Sequence, residues 1–160
     1  MVDPERLEAL RRNSGLALTK EGVWTWGTGF VENPRVQAMF HAGVAVREDG
    51  EVILSVGGMW AYIKVEVTAF FVRNVSDGIV YLCGGRELPV AALKVAGWGP
   101  DERLYLWLEG LSGPALCQRD IHQRLVDHIS DDGAALTLGD RRVPLVALGT
   151  IPGPNGLAPT

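Results

Sequence analysis

The chain has 160 residues, of which 47% are hydrophobic and 21% are charged, and its net charge is −4. This composition is typical of a globular protein and argues against a disordered chain. Because nucleic-acid binding depends on clustered Lys and Arg, and the only adjacent pairs are Arg11-Arg12 and Arg141-Arg142, we expect no nucleic-acid partner.

The first half of the chain contains strong local signals for helices and turns. Asp3-Pro4 and Asn33-Pro34 each place a capping residue before a proline, which predicts the start of a helix at both positions. Asp49-Gly50 predicts a hairpin turn between two short apolar runs.

Residues 60–67 alternate between apolar and polar side chains and predict a single strand with one buried face. The expected buried face consists of Ala61, Ile63, Val65 and Val67, and the wetter face of Tyr62, Lys64, Glu66 and Thr68.

The second half begins with residues 84–101, whose many Gly and Pro residues predict a connection between two halves. Residues 104–108 predict a strand. Ser112-Gly113-Pro114 is expected to start the longest helix, with Leu116 or Cys117, Ile121, Leu125 and Ile129 on one face. A hairpin with a turn at Gly139-Asp140 follows.

A strand, a capped helix and a two-stranded hairpin occur in that order around residues 23–56 and again around residues 104–148. Antiparallel hairpins that each pack with a helix give an α+β fold in which this strand–helix–hairpin arrangement occurs twice. We therefore expect an N-terminal helix-on-sheet subdomain (1–83), a connecting segment (84–101), a C-terminal helix-on-sheet subdomain (102–148) and a flexible tail (149–160).

The sequence favours a cytoplasmic protein with no membrane partner. Residues 1–10 are charged and lack the apolar run of a signal peptide, and no stretch approaches about 18 consecutive apolar residues. In a chain without an export signal, Cys83 and Cys117 are expected to be reduced and buried.

No cofactor or metal site is predicted. Gly57-Gly58 and Gly84-Gly85 lack the spacing of a phosphate-binding loop. His122 and His128 are six residues apart on a predicted helix, which places them on opposite faces and prevents them from sharing an ion. We expect His122 to be a surface or capping residue.

No catalytic residue is assigned either, and we expect a protein that is not an enzyme. The chain has no Gly-x-Ser-x-Gly motif for a nucleophile. Cys117 is expected to be an inert buried thiol, although the fold can bring it to a histidine. Glu66 is expected to be half-exposed and paired with Lys64 or Arg47.

The aromatic residues give the strongest hint of a binding surface. Trp24 and Trp26 share one face of their predicted strand, and Trp60 and Tyr62 share one face of theirs, with Lys64 next along it. Such aromatics serve as core, as interface anchors or as the lining of a pocket, and core is the favoured reading. If the face binds a ligand, we expect Trp60, Tyr62 and Lys64 to bind it.

The order of several segments resembles a bacterial family known as domain of unknown function 1285. The similar segments are EGVWTWGTG (21–29) with PRVQAMF (34–40), YIKVEVTAF (62–70) and LYLWLEGL (104–111). The chain departs from the family at Val67, where the family has Asp, at Ala69, where it has Pro, and in residues 55–60. The resemblance implies a divergent member with two similar helix-on-sheet subdomains and a role in signalling or ligand sensing, and it supplies no catalytic residues.

Three functional hypotheses follow. The first is a non-catalytic, regulatory module that binds a small molecule between the two halves near Trp60, Tyr62 and Lys64. The alternative is an interaction subunit that buries the same aromatic face in a homodimer. The third, an enzyme, requires Cys117 or Glu66 to lie in a pocket with a perturbed pKa.

Overall fold

The capping residues predicted at Asp3 and Asn33 begin two helices, as expected. The Asp3 carboxylate accepts a hydrogen bond from the Glu5 amide at 3.4 Å, and the Asn33 side chain accepts one from the Arg35 amide at 2.9 Å. In the computed structural model, which describes residues 3–159, these helices are α1 (Pro4–Arg12) and α2 (Pro34–Gly43), and α3 is Arg119–Val126. None of these helices is both long and apolar enough to cross a membrane.

Together the helices and strands confirm the predicted α+β class. Within the described residues the strands are β1 (Leu16–Leu18), β2 (Trp24–Trp26), β3 (Gly29–Phe30), β4 (Val44–Val46), β5 (Val52–Val56), β6 (Met59–Tyr62), β7 (Lys64–Val65), β8 (Phe70–Ser76), β9 (Ile79–Leu82), β10 (Glu87–Pro89), β11 (Leu93–Trp98), β12 (Leu104–Leu108), β13 (Ala115–Cys117), β14 (Ala135–Leu138) and β15 (Arg141–Ala147).

The strands form three sheets over residues 3–159. The largest has eight strands in the order β10-β9-β8-β13-β12-β11-β15-β14, the second has the order β3-β2-β1-β7, and the third has the order β4-β5-β6. The predicted hairpins are antiparallel, but parallel pairs join β1 to β7, β8 to β13 and β11 to β15. These parallel pairs connect hairpins that are distant in the sequence, which no local turn signal reveals.

The strand–helix–hairpin order occurs twice, first as β2, α2 and β4–β5 and then as β12, α3 and β14–β15. Strand β3 is inserted before α2 in the first unit, and β13 before α3 in the second. In the first unit α2 packs against β5 of its own hairpin. In the second unit α3 packs against β8 of the large sheet. The two units therefore share an order of elements but not a packing arrangement.

Residues 84–101, which we expected to connect two subdomains, contain β10, a short 3₁₀ turn and β11. Strand β11 lies between β12 and β15 inside the large sheet, and Leu93 and Ala96 are fully buried. The large sheet therefore takes strands from both sides of residue 84, and this segment is part of the sheet as well as a connection.

Two predicted elements are wrong. The expected long helix from residue 112 is replaced by β13, whose three residues are all buried, and α3 begins only at Arg119 and has eight residues. The expected single strand over residues 60–67 is divided at Ile63. Tyr62 pairs with Ile53 in the three-stranded sheet, whereas Lys64 pairs with Ala17 in the four-stranded sheet.

Arg103 joins the four-stranded sheet to the large sheet. Its side chain is only 13% exposed and donates hydrogen bonds to the carbonyl oxygens of Lys20 and Cys117, both at 3.0 Å. Lys20 lies in the turn between β1 and β2, and Cys117 ends β13. The Arg103 guanidinium also lies 3.6 Å from the Glu21 carboxylate. Arg103 therefore contacts the β1–β2 turn at two consecutive residues, Lys20 and Glu21.

We expect Arg103→Met to lower the free energy of unfolding by about 3 kcal/mol, because it removes two charge-assisted hydrogen bonds at a largely buried position. The measurement is urea unfolding of the full chain. Arg119→Met is the matched control, since Arg119 also approaches Glu21, at 3.7 Å, but is 80% exposed. The control should change stability by less than about 0.5 kcal/mol. Equal effects of the two substitutions would contradict this role of Arg103.

Candidate functional site

A cleft of about 600 Å³ lies over the solvent-facing side of the four-stranded sheet. We call it the sheet cleft. Its lining consists of Arg12, Asn13, Ser14, Gly15, Leu16, Ala17, Thr25, Gly27, Glu51, Tyr62, Ile63 and Lys64. These residues come from the end of α1, from β1 and β2, from the β4–β5 turn, and from the division between β6 and β7.

The floor of the sheet cleft is built from small side chains. Ala17 pairs with Thr25 on one side and with Lys64 on the other, so these three residues lie on the same face of the sheet. The neighbouring residues Leu18 and Trp24 project to the opposite face, where they are almost completely buried. The large side chains of β1 and β2 thus point into the core. The outer face carries the small side chains of Ala17 and Thr25, which leave open space above them.

Arg12, in the last turn of α1, forms one wall. Its guanidinium donates to both carboxylate oxygens of Glu51, at 3.1 and 3.0 Å, and to Glu8 at 3.2 Å. It also lies 4.1 Å above the ring of Tyr62. The hydrogen bonds from Arg12 to Glu51 raise the pKa of the guanidinium, so Arg12 stays a cation.

Tyr62 is held in place by its backbone and by its hydroxyl. Ser14 donates a hydrogen bond from its hydroxyl to the Tyr62 carbonyl oxygen at 2.7 Å, and Arg47 donates to the Tyr62 hydroxyl at 2.9 Å. The same Ser14 oxygen accepts a hydrogen bond from the Leu16 amide at 3.2 Å. Tyr62 is therefore a fixed part of the cleft wall.

The structure brings two of the three predicted site residues into the cleft and leaves the third beside it. Tyr62 and Lys64 line the sheet cleft, but Trp60 does not. Trp60 packs edge-to-face on Tyr62 with ring centroids 5.2 Å apart, and the guanidinium of Arg11 covers its ring at 4.0 Å. Trp60 thus packs against the Tyr62 ring without lining the cleft itself.

Lys64 is exposed and belongs to none of the ion pairs formed by residues 3–159. The expected pairing of Glu66 with Lys64 or Arg47 is wrong. The Glu66 carboxylate instead accepts a hydrogen bond from the Lys20 amide at 2.8 Å, where it fixes the β1–β2 turn. The Lys64 ammonium therefore lines the sheet cleft without a carboxylate partner among residues 3–159.

A second cleft of about 390 Å³ adjoins the first and shares Glu51, Tyr62 and Ile63 with it. Its far side is formed by Pro154 and Asn155 of the tail. The tail, which we expected to have no fixed structure, also accepts a hydrogen bond at the Gly156 carbonyl from the Trp107 indole at 2.9 Å.

Trp24 and Trp26, predicted to share a strand face, have different environments. Trp24 is fully buried and packs edge-to-face on Phe40 at 5.3 Å, whereas Trp26 is 69% exposed. The same face of β2 is therefore buried at Trp24 and exposed at Trp26, two residues further along.

The sequence does not predict a partly buried polar cluster that lies beside the large sheet. The Tyr105 hydroxyl donates to Asp101 at 2.6 Å, and burial raises the pKa of Tyr105. His122, expected at the surface, is partly buried against Trp98 at 5.3 Å, and this burial lowers its pKa. The sequence signal was Gly99, where a side chain would collide with Asp101. This cluster borders neither cleft.

The residues considered for catalysis do not line either cleft. Cys117 is fully buried, and burial raises the pKa of its thiol to about 12; burial also raises the pKa of the partly buried Cys83 to about 11. Neither Cys117 nor Glu66 lines either cleft. Over residues 3–159, no three His, Cys, Asp or Glu side chains are placed to hold a metal ion.

Two solved structures share the fold of this chain. One is a DUF1285 family protein from Silicibacter pomeroyi DSS-3, with a TM-score of 0.60 and 18% identity, covering 82% of this chain and 79% of that one. The other is a DUF1285 family protein from Shewanella baltica OS155, with a TM-score of 0.53 and 17% identity, covering 72% of this chain and 92% of that one.

No protein-family model and no curated protein matches the chain. The two solved structures confirm the resemblance to the family of domain of unknown function 1285 at the level of the fold. The low identities agree with the departures seen at Val67 and Ala69.

We expect iodoacetamide to alkylate both cysteines of the folded protein at pH 7.5 at least about a hundredfold more slowly than in the urea-unfolded chain. The reason is that the raised pKa values leave little thiolate and that burial restricts access. Mass spectrometry of the alkylated peptides gives both rates. Rapid alkylation of Cys117 in the folded protein would instead identify an activated thiol and favour the enzyme hypothesis.

Proposed function

We propose that this chain is a non-catalytic module that binds a small anionic molecule in the sheet cleft. The observation that carries the proposal is the Lys64 ammonium, which lines the cleft and has no carboxylate partner among residues 3–159. A cation left unpaired in a concave site is suited to an anionic ligand.

The charge of the lining supports an anion. The cleft contains the cations Arg12 and Lys64 and a single lining carboxylate, Glu51. Arg12 is already paired with Glu51 and with the nearby Glu8, which leaves Lys64 as the cation without an acidic partner among residues 3–159. Arg47 adds a further cation at the Tyr62 hydroxyl. This local positive charge lies on a chain whose net charge is −4, so the cleft attracts anions that the rest of the surface repels.

The construction of the cleft favours binding over catalysis. Its volume of about 600 Å³ lies within the range of about 300–1,000 Å³ usual for small-molecule sites. The lining has no His or Cys, and its carboxylate is held by Arg12. The wall is already ordered by the hydrogen bonds of Ser14 and Arg47 to Tyr62, which lowers the entropic cost of binding.

The position of the cleft is suited to regulation. Its lining comes from α1, from the four-stranded sheet and from the three-stranded sheet with its β4–β5 turn. A ligand that contacts all three stabilises one relative arrangement of them, and a partner protein can read that arrangement. We place this role in a bacterial cytoplasm, as expected from the sequence.

A second candidate function, the homodimeric interaction subunit, has its own supporting observation. Trp26 and Met59 are 69% and 78% exposed, and large exposed apolar side chains of this kind can anchor an interface. Sedimentation equilibrium distinguishes the two candidates, because a dimer doubles the 17.3 kDa mass of the chain.

The proposed function predicts thermal stabilisation by anions. We would screen the full chain against phosphate, sulfate and a panel of mono- and dicarboxylates at low ionic strength. An anion at 100 times its dissociation constant should add about 2.7 kcal/mol, or roughly 5–10 °C. Lys64→Ala should reduce the shift by up to about half, because it removes the unpaired cation and a tenfold weaker site gains only about 1.4 kcal/mol at the same anion concentration.

The matched control is Lys94→Ala, which removes an exposed lysine from β11 and should leave the shift intact. A screen in which no anion stabilises the protein would contradict the proposal. A shift of unchanged size in Lys64→Ala would also contradict it.

A further inference from the structure

One row of side chains crosses the whole four-stranded sheet beneath the sheet cleft. Phe30 of β3 pairs with Thr25 of β2, Thr25 pairs with Ala17 of β1, and Ala17 pairs with Lys64 of β7. Residues that pair directly across a sheet project from the same face. Phe30, Thr25, Ala17 and Lys64 therefore form a continuous line on one face of the sheet. Thr25, Ala17 and Lys64 line the cleft, and Phe30 lies next to Thr25 on the neighbouring strand, outside the lining.

The two ends of this row have different chemistry. Phe30, at the β3 end, is 67% exposed, and Lys64, at the β7 end, is exposed and without an acidic partner in the described part of the chain. Three strand spacings separate them, which is about 14 Å between their backbones. Between the ring and the ammonium lie only the small side chains of Ala17 and Thr25, so the floor is low enough to hold a flat group.

Three backbone amides around the cleft are already engaged within the chain. The amide of Asn13 donates to the Ala9 carbonyl, that of Gly27 to the Gly15 carbonyl, and that of Leu16 to the Ser14 hydroxyl. These donors are therefore already used. An exposed ion pair to Lys64 alone changes a dissociation constant by less than about tenfold. A ligand that binds well must therefore also cover apolar surface on the floor.

We propose that the ligand is an aromatic acid, with its anionic group at Lys64 and its ring over Ala17 and Thr25 against Phe30. This inference rests on the proposed function and adds the chemical class of the ligand. The exposed ring of Phe30 provides the aromatic contact, and offset or edge-to-face packing of two rings is favourable. The polar side chains of Asn13 and Ser14 border the same space.

The test uses pairs of probes that carry the same anionic group with and without a ring. These probes are phenyl phosphate with methyl phosphate, and benzoate with acetate. Isothermal titration calorimetry of the full chain should give at least about tenfold tighter binding for the aromatic member of at least one pair. Phe30→Ala should remove this preference, while Lys64→Ala should weaken both members.

Met59→Ala is the control, because Met59 is 78% exposed but belongs to the three-stranded sheet and not to this row of side chains, and it should preserve the preference. Since Phe30 and Met59 are both at the surface, both variants should fold, and circular dichroism verifies this.

The outcomes separate this inference from the proposed function. Equal binding of aromatic and non-aromatic members would overturn the aromatic class and leave an anion site. An aromatic preference that survives in Phe30→Ala would likewise overturn the assigned ring position. Failure of all four probes to bind at millimolar concentration would overturn both the inference and the proposed anion site.

Discussion

The two hydrogen bonds of Arg103 are the constraint on which the site geometry depends. They fix the Lys20 carbonyl to the end of β13, while Glu66 accepts from the Lys20 amide at 2.8 Å. Both backbone groups of this turn residue are therefore occupied, and the β1–β2 hairpin has a fixed position. Because Ala17 and Thr25 belong to that hairpin, the same contacts set the floor of the sheet cleft.

Local features of the fold could be predicted from the sequence because they depend on neighbouring residues. The caps at Asp3 and Asn33 and the turn at Asp49-Gly50 are examples. Long-range pairing could not be predicted. The alternation of residues 60–67 predicts one strand, but the strand is divided at Ile63 because Tyr62 and Lys64 pair with different sheets. Residues 115–117 form a buried strand, although Leu116 or Cys117 also continues the helical spacing of the apolar residues that follow.

The candidate site was predictable to the same extent. Tyr62 and Lys64 were singled out by their strand pattern, and both line the cleft. Ala17, Thr25 and Phe30 were not, because small or single apolar residues carry no signal until the register is known. The parallel pairing of β7 with β1 brings Lys64 into the same row, and nothing near Lys64 in the sequence specifies that partner.

The most direct test of an anion site on this sheet is a ¹H–¹⁵N NMR titration of the full chain with phenyl phosphate. We expect the largest shift changes at the amides of residues 13–17, 25, 27, 30 and 62–64, which line or border the cleft. Changes centred on the partly buried cluster of Trp98 and His122, or none up to millimolar phenyl phosphate, would contradict the account.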